Sequence, residues 1–232
     1  TEEQSNYLMT MHGMFWQFPQ TFGVDNTSGL RPRSAYLKVI GDFTRWNDGL
    51  VFGCDDSAQK EFLNKRKLKG GIEGPGQSNS NLWFTGFDTP DKLGPNTAEG
   101  AVWLEERLEK GAISEPFLFA GWSDRSCWIH NHGDQNTDIT FETDTRGDGN
   151  WQVLRTANIF SGESKRIVFK EDEIGEWIRL KTSTTTTLTA HFSYTAKDER
   201  NNVPSTNFNG MASVDESSVI GGLLYGLGDD RR

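Results

Sequence analysis

The chain has 232 residues, of which 34% are hydrophobic and 25% charged, with a formal net charge of −9 at pH 7. That balance is ordinary for a globular protein and excludes a disordered chain; the acidic excess argues against a nucleic-acid partner, which would require a clustered basic surface. No apolar run approaches the roughly 18 residues of a membrane-spanning helix, no signal-peptide pattern opens the sequence, and two cysteines, Cys54 and Cys127, cannot build a disulfide framework.

Apolar and polar residues alternate in short runs bounded by Gly, Asp, Asn and Pro, a pattern that predicts strands. In chain order these fall near Tyr7–Phe18, Ala35–Asp42, Leu50–Gly53, Asn81–Phe84, Val102–Arg107 and Pro116–Gly121. They continue near Ser126–Asn131, Asp138–Asp144, Trp151–Ile159, Lys165–Phe169, Trp177–Thr182 and Leu188–Thr195. Twelve such strands suit three four-stranded antiparallel blades. A long segment at 55–80, with a basic run from Lys60 to Lys69 read as a solvated face, separates the early strands. One stretch, Leu104 to Lys110, has a helical pattern that fits an extended segment nearly as well. Two hairpins stand out, one turning at Arg146-Gly147-Asp148-Gly149-Asn150 and one at the Thr-rich run Thr182 to Thr187. After Asp198 the composition changes, and Asn207–Met211 and Gly221–Leu227 look like the opening of another strand.

Signatures for a catalytic serine elbow, a zinc protease, a phosphate loop or a dinucleotide site are absent. No cofactor is expected, with room only for a structural metal ion. Eight Trp and fifteen Phe among 25 Gly supply rings for packing or for stacking on sugars, and Trp16, Trp46 and Trp83 are the candidate substrate-binding residues. Read as one strand, the first run puts Leu8, Thr10, His12, Met14 and Trp16 on one face, so His12 is a candidate acid or base beside an indole; a histidine satisfied by backbone at a strand end is the alternative. Arg31 and Arg33 flank Pro32 and match a carboxylate bidentately, either a uronate or a protein partner in an ion pair. His130 and His132 share a face and suit a metal only if Cys127 or Asp134 supplies a third ligand; otherwise they are edge or loop histidines. Asp144, Asp148 and Asn150 read as a turn rather than a calcium loop, and His191 as a partly buried sheet residue opposite Leu188, Ala190, Phe192 and Tyr194.

Six segments, His12-Gly13-Met14-Phe15-Trp16-Gln17-Phe18-Pro19, Leu82-Trp83-Phe84, Ser114-Glu115-Pro116-Phe117-Leu118, Asn131-His132-Gly133-Asp134, Gly147-Asp148-Gly149-Asn150-Trp151 and Glu176-Trp177-Ile178-Arg179, carry a resemblance. They resemble the bacterial seven-bladed β-propeller superfamily of polysaccharide-degrading proteins, which includes ulvan lyases and α-L-rhamnosidases. The similarity runs over about residues 7 to 227. It implies an all-β propeller fragment, with blades over 1–200 and the start of a further, truncated blade at 201–232. It also implies a secreted or periplasmic protein whose partner is an anionic rhamnose- or uronate-containing polysaccharide or oligosaccharide. Activity would be that of a polysaccharide lyase or a glycoside hydrolase, with His12, Arg31 and Arg33 as the matching catalytic positions. Relatives commonly read His-Gly-x-Phe-Tyr where this chain has Trp16, a ring with no titratable proton. A noncatalytic propeller that binds glycan or protein is therefore the alternative.

Overall fold

A computed structural model describes residues 2–3, 6–36, 39–55 and 80–197. The Lys60–Lys69 run and the further blade expected at 201–232 lie outside the described residues. What is described is all-β, four antiparallel sheets and one short 3-10 turn at Thr89–Asp91.

The first sheet is a meander of β1 (Glu2–Glu3), β2 (Asn6–Met11), β3 (Met14–Pro19) and β4 (Arg31–Ala35). The single strand expected over Tyr7–Phe18 is in fact the β2–β3 hairpin. His12 and Gly13 both have positive φ, 50° and 75°, the condition for a two-residue type I′ turn whose twist matches the flanking strands. The turn reverses the face assignment. Met9 pairs with Trp16 and Leu8 with Gln17, so Leu8 and Trp16 lie on opposite faces.

Strand β3 is apolar on both sides because both sides are covered. Phe15 packs on Tyr36 and on Phe52 of the second sheet, ring centroids 4.7 and 5.4 Å apart. Trp16 faces the other way and meets Trp122 edge-on at 6.2 Å. The second sheet is another meander, β5 (Val39–Trp46), β6 (Gly49–Asp55) and β7 (Ser80–Thr85). Its inner row, Phe43, Phe52 and Trp83, stacks at 5.4 and 5.3 Å across the three strands, the cross-strand aromatic pairing that stabilises sheets.

The remaining strands are β8 (Thr97–Leu108), β9 (Phe117–Leu118), β10 (Asp124–Asn131), β11 (Thr137–Asp144), β12 (Trp151–Ile159), β13 (Ser164–Phe169), β14 (Trp177–Thr182) and β15 (Thr186–Thr195). They form two sheets ordered β13-β10-β15-β8 and β12-β11-β14-β9. This interleaving is the eight-stranded jelly-roll arrangement. A propeller blade places four consecutive strands side by side, so the blade grouping expected over this half does not occur.

The first expected hairpin is present, β11 pairing with β12 around the turn at 145–150. The second is not. Strand β14 pairs with β11 and β9, whereas β15 pairs with β10 and β8, so the Thr-rich segment crosses between sheets. The physical reason is burial: Ile139, Phe141, Ile178 and Leu180 on one sheet and Ile129, Ala190 and Phe192 on the other are all fully buried. Two apolar faces of this size need each other, each large side chain contributing about 1.5–3 kcal/mol. The helical pattern at Leu104–Lys110 belongs to β8, whose register shifts next to Glu105 at φ 48° let both Trp103 and Leu108 point inward.

The chain between β3 and β4 is bonded to the jelly roll. The Thr27 N–H donates to the Gly147 carbonyl at 2.7 Å, and the Trp177 Nε1–H donates to the Thr27 carbonyl at 3.0 Å. Gly147 has φ 67°, and a Cβ there would stand 2.4 Å from the Ser28 nitrogen. Only glycine fits that seam.

Candidate functional site

The candidates nominated around β2, β3 and β4 are placed by three different demands. His12 is exposed in its turn, held by backbone geometry rather than by a partner side chain. Its positive φ predicts how substitutions behave: His12→Asn should leave stability within about 0.5 kcal/mol, and His12→Val should cost about 1–2 kcal/mol, read as urea midpoints. Equal losses in both variants would mean the imidazole itself is structural. Trp16 is 6% exposed and donates its Nε1–H to the Met11 carbonyl at 3.1 Å. It is a core residue, and its ring is not offered to a ligand.

Both arginines are engaged with protein carboxylates. Arg31 makes a bidentate pair with Glu176, Nη1 to Oε2 at 2.7 Å and Nη2 to Oε1 at 2.6 Å. The same Oε2 accepts the Gly29 N–H at 2.8 Å. Burial pushes the Glu176 carboxyl up, but Arg31 and the Gly29 amide outweigh it and hold the group below its ordinary value. Arg33 pairs bidentately with Asp91 of the 3-10 turn, both distances 2.7 Å. The ion-pair alternative for these two residues is thus the one realised.

One titratable group beside the His12 turn was not singled out from sequence. The Tyr36 N–H donates to the Gly13 carbonyl at 2.8 Å, and burial raises the phenol above its usual value despite a hydrogen bond with Thr10. Its signal in the sequence was hidden at the start of an ordinary strand pattern.

The other two tryptophans divide. Trp83 is half-buried against Phe52 and the cluster of Leu8, Phe15 and Leu50. Trp46 is 60% exposed at the tip of the β5–β6 hairpin, and next to it the Arg45 guanidinium lies 5.0 Å from the Phe87 ring centroid.

His130 and His132 come together on the outward face of β10, ring centroids 4.2 Å apart. Each already has a hydroxyl partner, His130 Nδ1 with Ser164 Oγ at 2.7 Å and His132 Nε2 with Thr189 Oγ1 at 3.0 Å. Neither suggested third ligand joins them. Cys127 faces the opposite way into the core, where burial pushes its thiol far up, and among the described residues no group of three or more His, Cys, Asp or Glu is placed to hold a metal. The same outward face carries Trp128, 48% exposed, with the Arg166 Cζ at 5.9 Å from its ring centroid. The register sets His191 directly opposite Trp128 on the other side. Asp144, read as part of a turn, behaves as one: its carboxylate accepts four consecutive backbone N–H groups, those of residues 146 to 149.

No helix among the described residues is long and apolar enough to cross a membrane. No protein-family model matches the chain, and no curated protein matches it. Among solved structures, PirA matches 42% of this chain and 92% of its own at 14% identity with a TM-score of 0.28. Infectious bursal disease virus, Gx strain, matches 68% of this chain and 42% of its own at 10% identity with a TM-score of 0.31. A structure described as "CBM4 structure and function" matches 67% of this chain and 73% of its own at 8% identity with a TM-score of 0.19. Likenesses this distant assign neither a fold nor a function, so the jelly-roll assignment stands on strand order alone.

Proposed function

We propose that the chain binds an anionic, rhamnose- or uronate-containing polysaccharide outside the cell without acting on it from its own residues. The observation that carries this reading is the contrast among the nominated side chains: Arg31 and Arg33 are bound to Glu176 and Asp91, Trp16 is buried, and Trp46 alone presents an open ring. A catalytic arrangement needs a base and a carboxylate-neutralising cation free to meet substrate. His12 is exposed, but both arginines that would neutralise a substrate carboxylate beside it are engaged with protein carboxylates, and burial pushes the Tyr36 phenol up. Binding needs only an exposed aromatic surface with polar neighbours. The meander order of β1–β4 and β5–β7 supports reading these two sheets as propeller-like blades, to which the jelly roll is joined.

The test is incubation of the chain with ulvan and with rhamnosylated arabinogalactan. The expected result is retention of glycan in affinity electrophoresis, no new absorbance from an unsaturated uronate and no free rhamnose. Trp46→Ala should weaken retention by about 1–2 kcal/mol. Appearance of either product would replace this reading with a lyase or a glycoside hydrolase, and His12→Ala would then be the first variant to assay.

A further inference from the structure

We infer a second glycan-binding site, specific for an acidic sugar, on the outward face of the sheet β13-β10-β15-β8. Its centre is Trp128. The ring stands in the middle of a sheet, where strands hold it in place, and it is the sole large aromatic among the outward-facing positions of β10. Strand pairing fixes its neighbours: Arg166 lies opposite it on β13 and His191 opposite it on β15. One step along the same strand are His130 and then His132, tied to Ser164 and Thr189. Three of the chain's four histidines therefore gather around one exposed indole.

Three observations select the ligand. First, about half of the ring's surface is exposed in the middle of the sheet, with the Arg166 guanidinium 5.9 Å from its centroid, and an indole so held can stack on a sugar face. Second, polar groups able to meet sugar hydroxyls flank it: His191 on β15, and His130 on β10 with its hydroxyl partner Ser164 on β13. Third, the charge nearest the ring is positive in a protein of net charge −9. Arg166 is exposed and pairs with no carboxylate among the described residues. Acidic residues stand on the edge strand and at a strand end: Glu99 opposite Ser193, Glu105 with its N–H donating to Thr189 Oγ1, and Asp124 opposite Thr195. A guanidinium beside a stacked ring suits a sugar carrying a carboxylate or a sulfate. A protein partner fits less well. The large exposed apolar groups on these strands are Trp128, Val168 and Leu104, each on a different strand, with Arg166 and His191 flanking the indole, a poor match for the contiguous apolar centre of a protein interface.

The inference rests on the reading of the chain as a glycan binder but places the acidic sugar on a different sheet from Trp46. Its test is calorimetric titration of the whole chain with an oligogalacturonate, a sulfated dextran oligomer and the carboxyl-reduced form of the first. At least one acidic probe should bind about tenfold or more tightly than the neutral one. Trp128→Ala should weaken that binding at least about tenfold, and Trp128→Phe should recover most of it. Arg166→Gln, a change at an exposed edge-strand position, should remove most of the preference for the acidic over the neutral probe. Equal affinity for the acidic and neutral probes overturns the inference, as does self-association of the free chain that Trp128→Ala abolishes. If Trp46→Ala weakens binding and Trp128→Ala does not, this site falls and the general reading stands. If no probe binds, both fall.

Discussion

Replacing Asp144 with alanine should destabilise the chain by about 3–4 kcal/mol, the largest loss expected from any single polar side chain here. Asp144 is 2% exposed at the end of β11, and its carboxylate accepts the N–H groups of Arg146, Gly147, Asp148 and Gly149 at 3.1, 2.8, 3.4 and 2.7 Å. Hydrogen bonds to a charged group contribute about 1.5–3 kcal/mol each, so four of them cannot all count in full. Water replaces some once the loop relaxes, which brings the net to the figure above. The damage should extend beyond the loop, because the Gly147 carbonyl accepts from both the amide and the hydroxyl of Thr27. Asp144→Asn keeps one accepting oxygen and turns an amide N–H₂ toward the remaining donors, so it should cost about half as much. Urea unfolding monitored by tryptophan fluorescence measures both. A loss below about 1 kcal/mol for the alanine variant would show that the turn holds its shape without the carboxylate.

Glu176→Ala should cost about 2–3 kcal/mol at neutral pH, because it strands a guanidinium and a backbone amide that are now paired. The side chains of Arg31 and Glu176 are 34% and 13% exposed, so the pair is worth more than a surface ion pair and less than a fully buried one. The pH dependence follows from the lowered Glu176 value. A carboxyl whose folded-state pKa lies below its unfolded value stabilises fully above the unfolded value of about 4.5, and the contribution disappears as pH falls through the folded value. Wild type should therefore lose stability relative to Glu176→Gln below about pH 4.5, and the two should run parallel above it. Denaturation midpoints for the pair across pH 3 to 7 test this. A wild-type to Gln difference that stays constant through the acid range would remove Glu176 from the set of groups that report folding. Hydrogen exchange in β4 should rise in either variant, since Arg31 and the Gly29 amide tie that strand to the jelly roll.

Strand positions were legible in the sequence where one face meets water. The run Ser126 to Asn131 places Cys127 and Ile129 inward and Trp128 and His130 outward, as period-2 alternation requires. Pairing was less legible, because alternation reports which face is apolar and is silent about which sheet the strand joins. Leu188 to Tyr194 alternates as a hairpin arm would, yet its partners are β10 and β8. At Trp16 the readable signal was the continuous apolar run Met14-Phe15-Trp16, which marks a strand covered on both faces. The two-residue His12-Gly13 turn was a second such signal. Nothing local identifies Glu176 as the partner of Arg31, since the two are 145 residues apart. Site residues set by long-range ion pairs were therefore invisible, and those set by strand alternation were within reach.

The interleaved order of the jelly roll also fixes when the chain can fold. Thr97 begins a strand whose partner ends at Thr195, so the β13-β10-β15-β8 sheet cannot close on a nascent chain until almost all of that stretch has left the ribosome. The β2–β3 and β5–β6 hairpins join neighbours in sequence and can form long before. During that interval the Trp16 face of the first sheet has no Trp122 to cover it, and loop closure over such separations is slow. Synthesis thus passes through a period in which a preformed meander carries an uncovered aromatic surface, the stage at which a holdase would bind this chain and at which truncated translation products would aggregate.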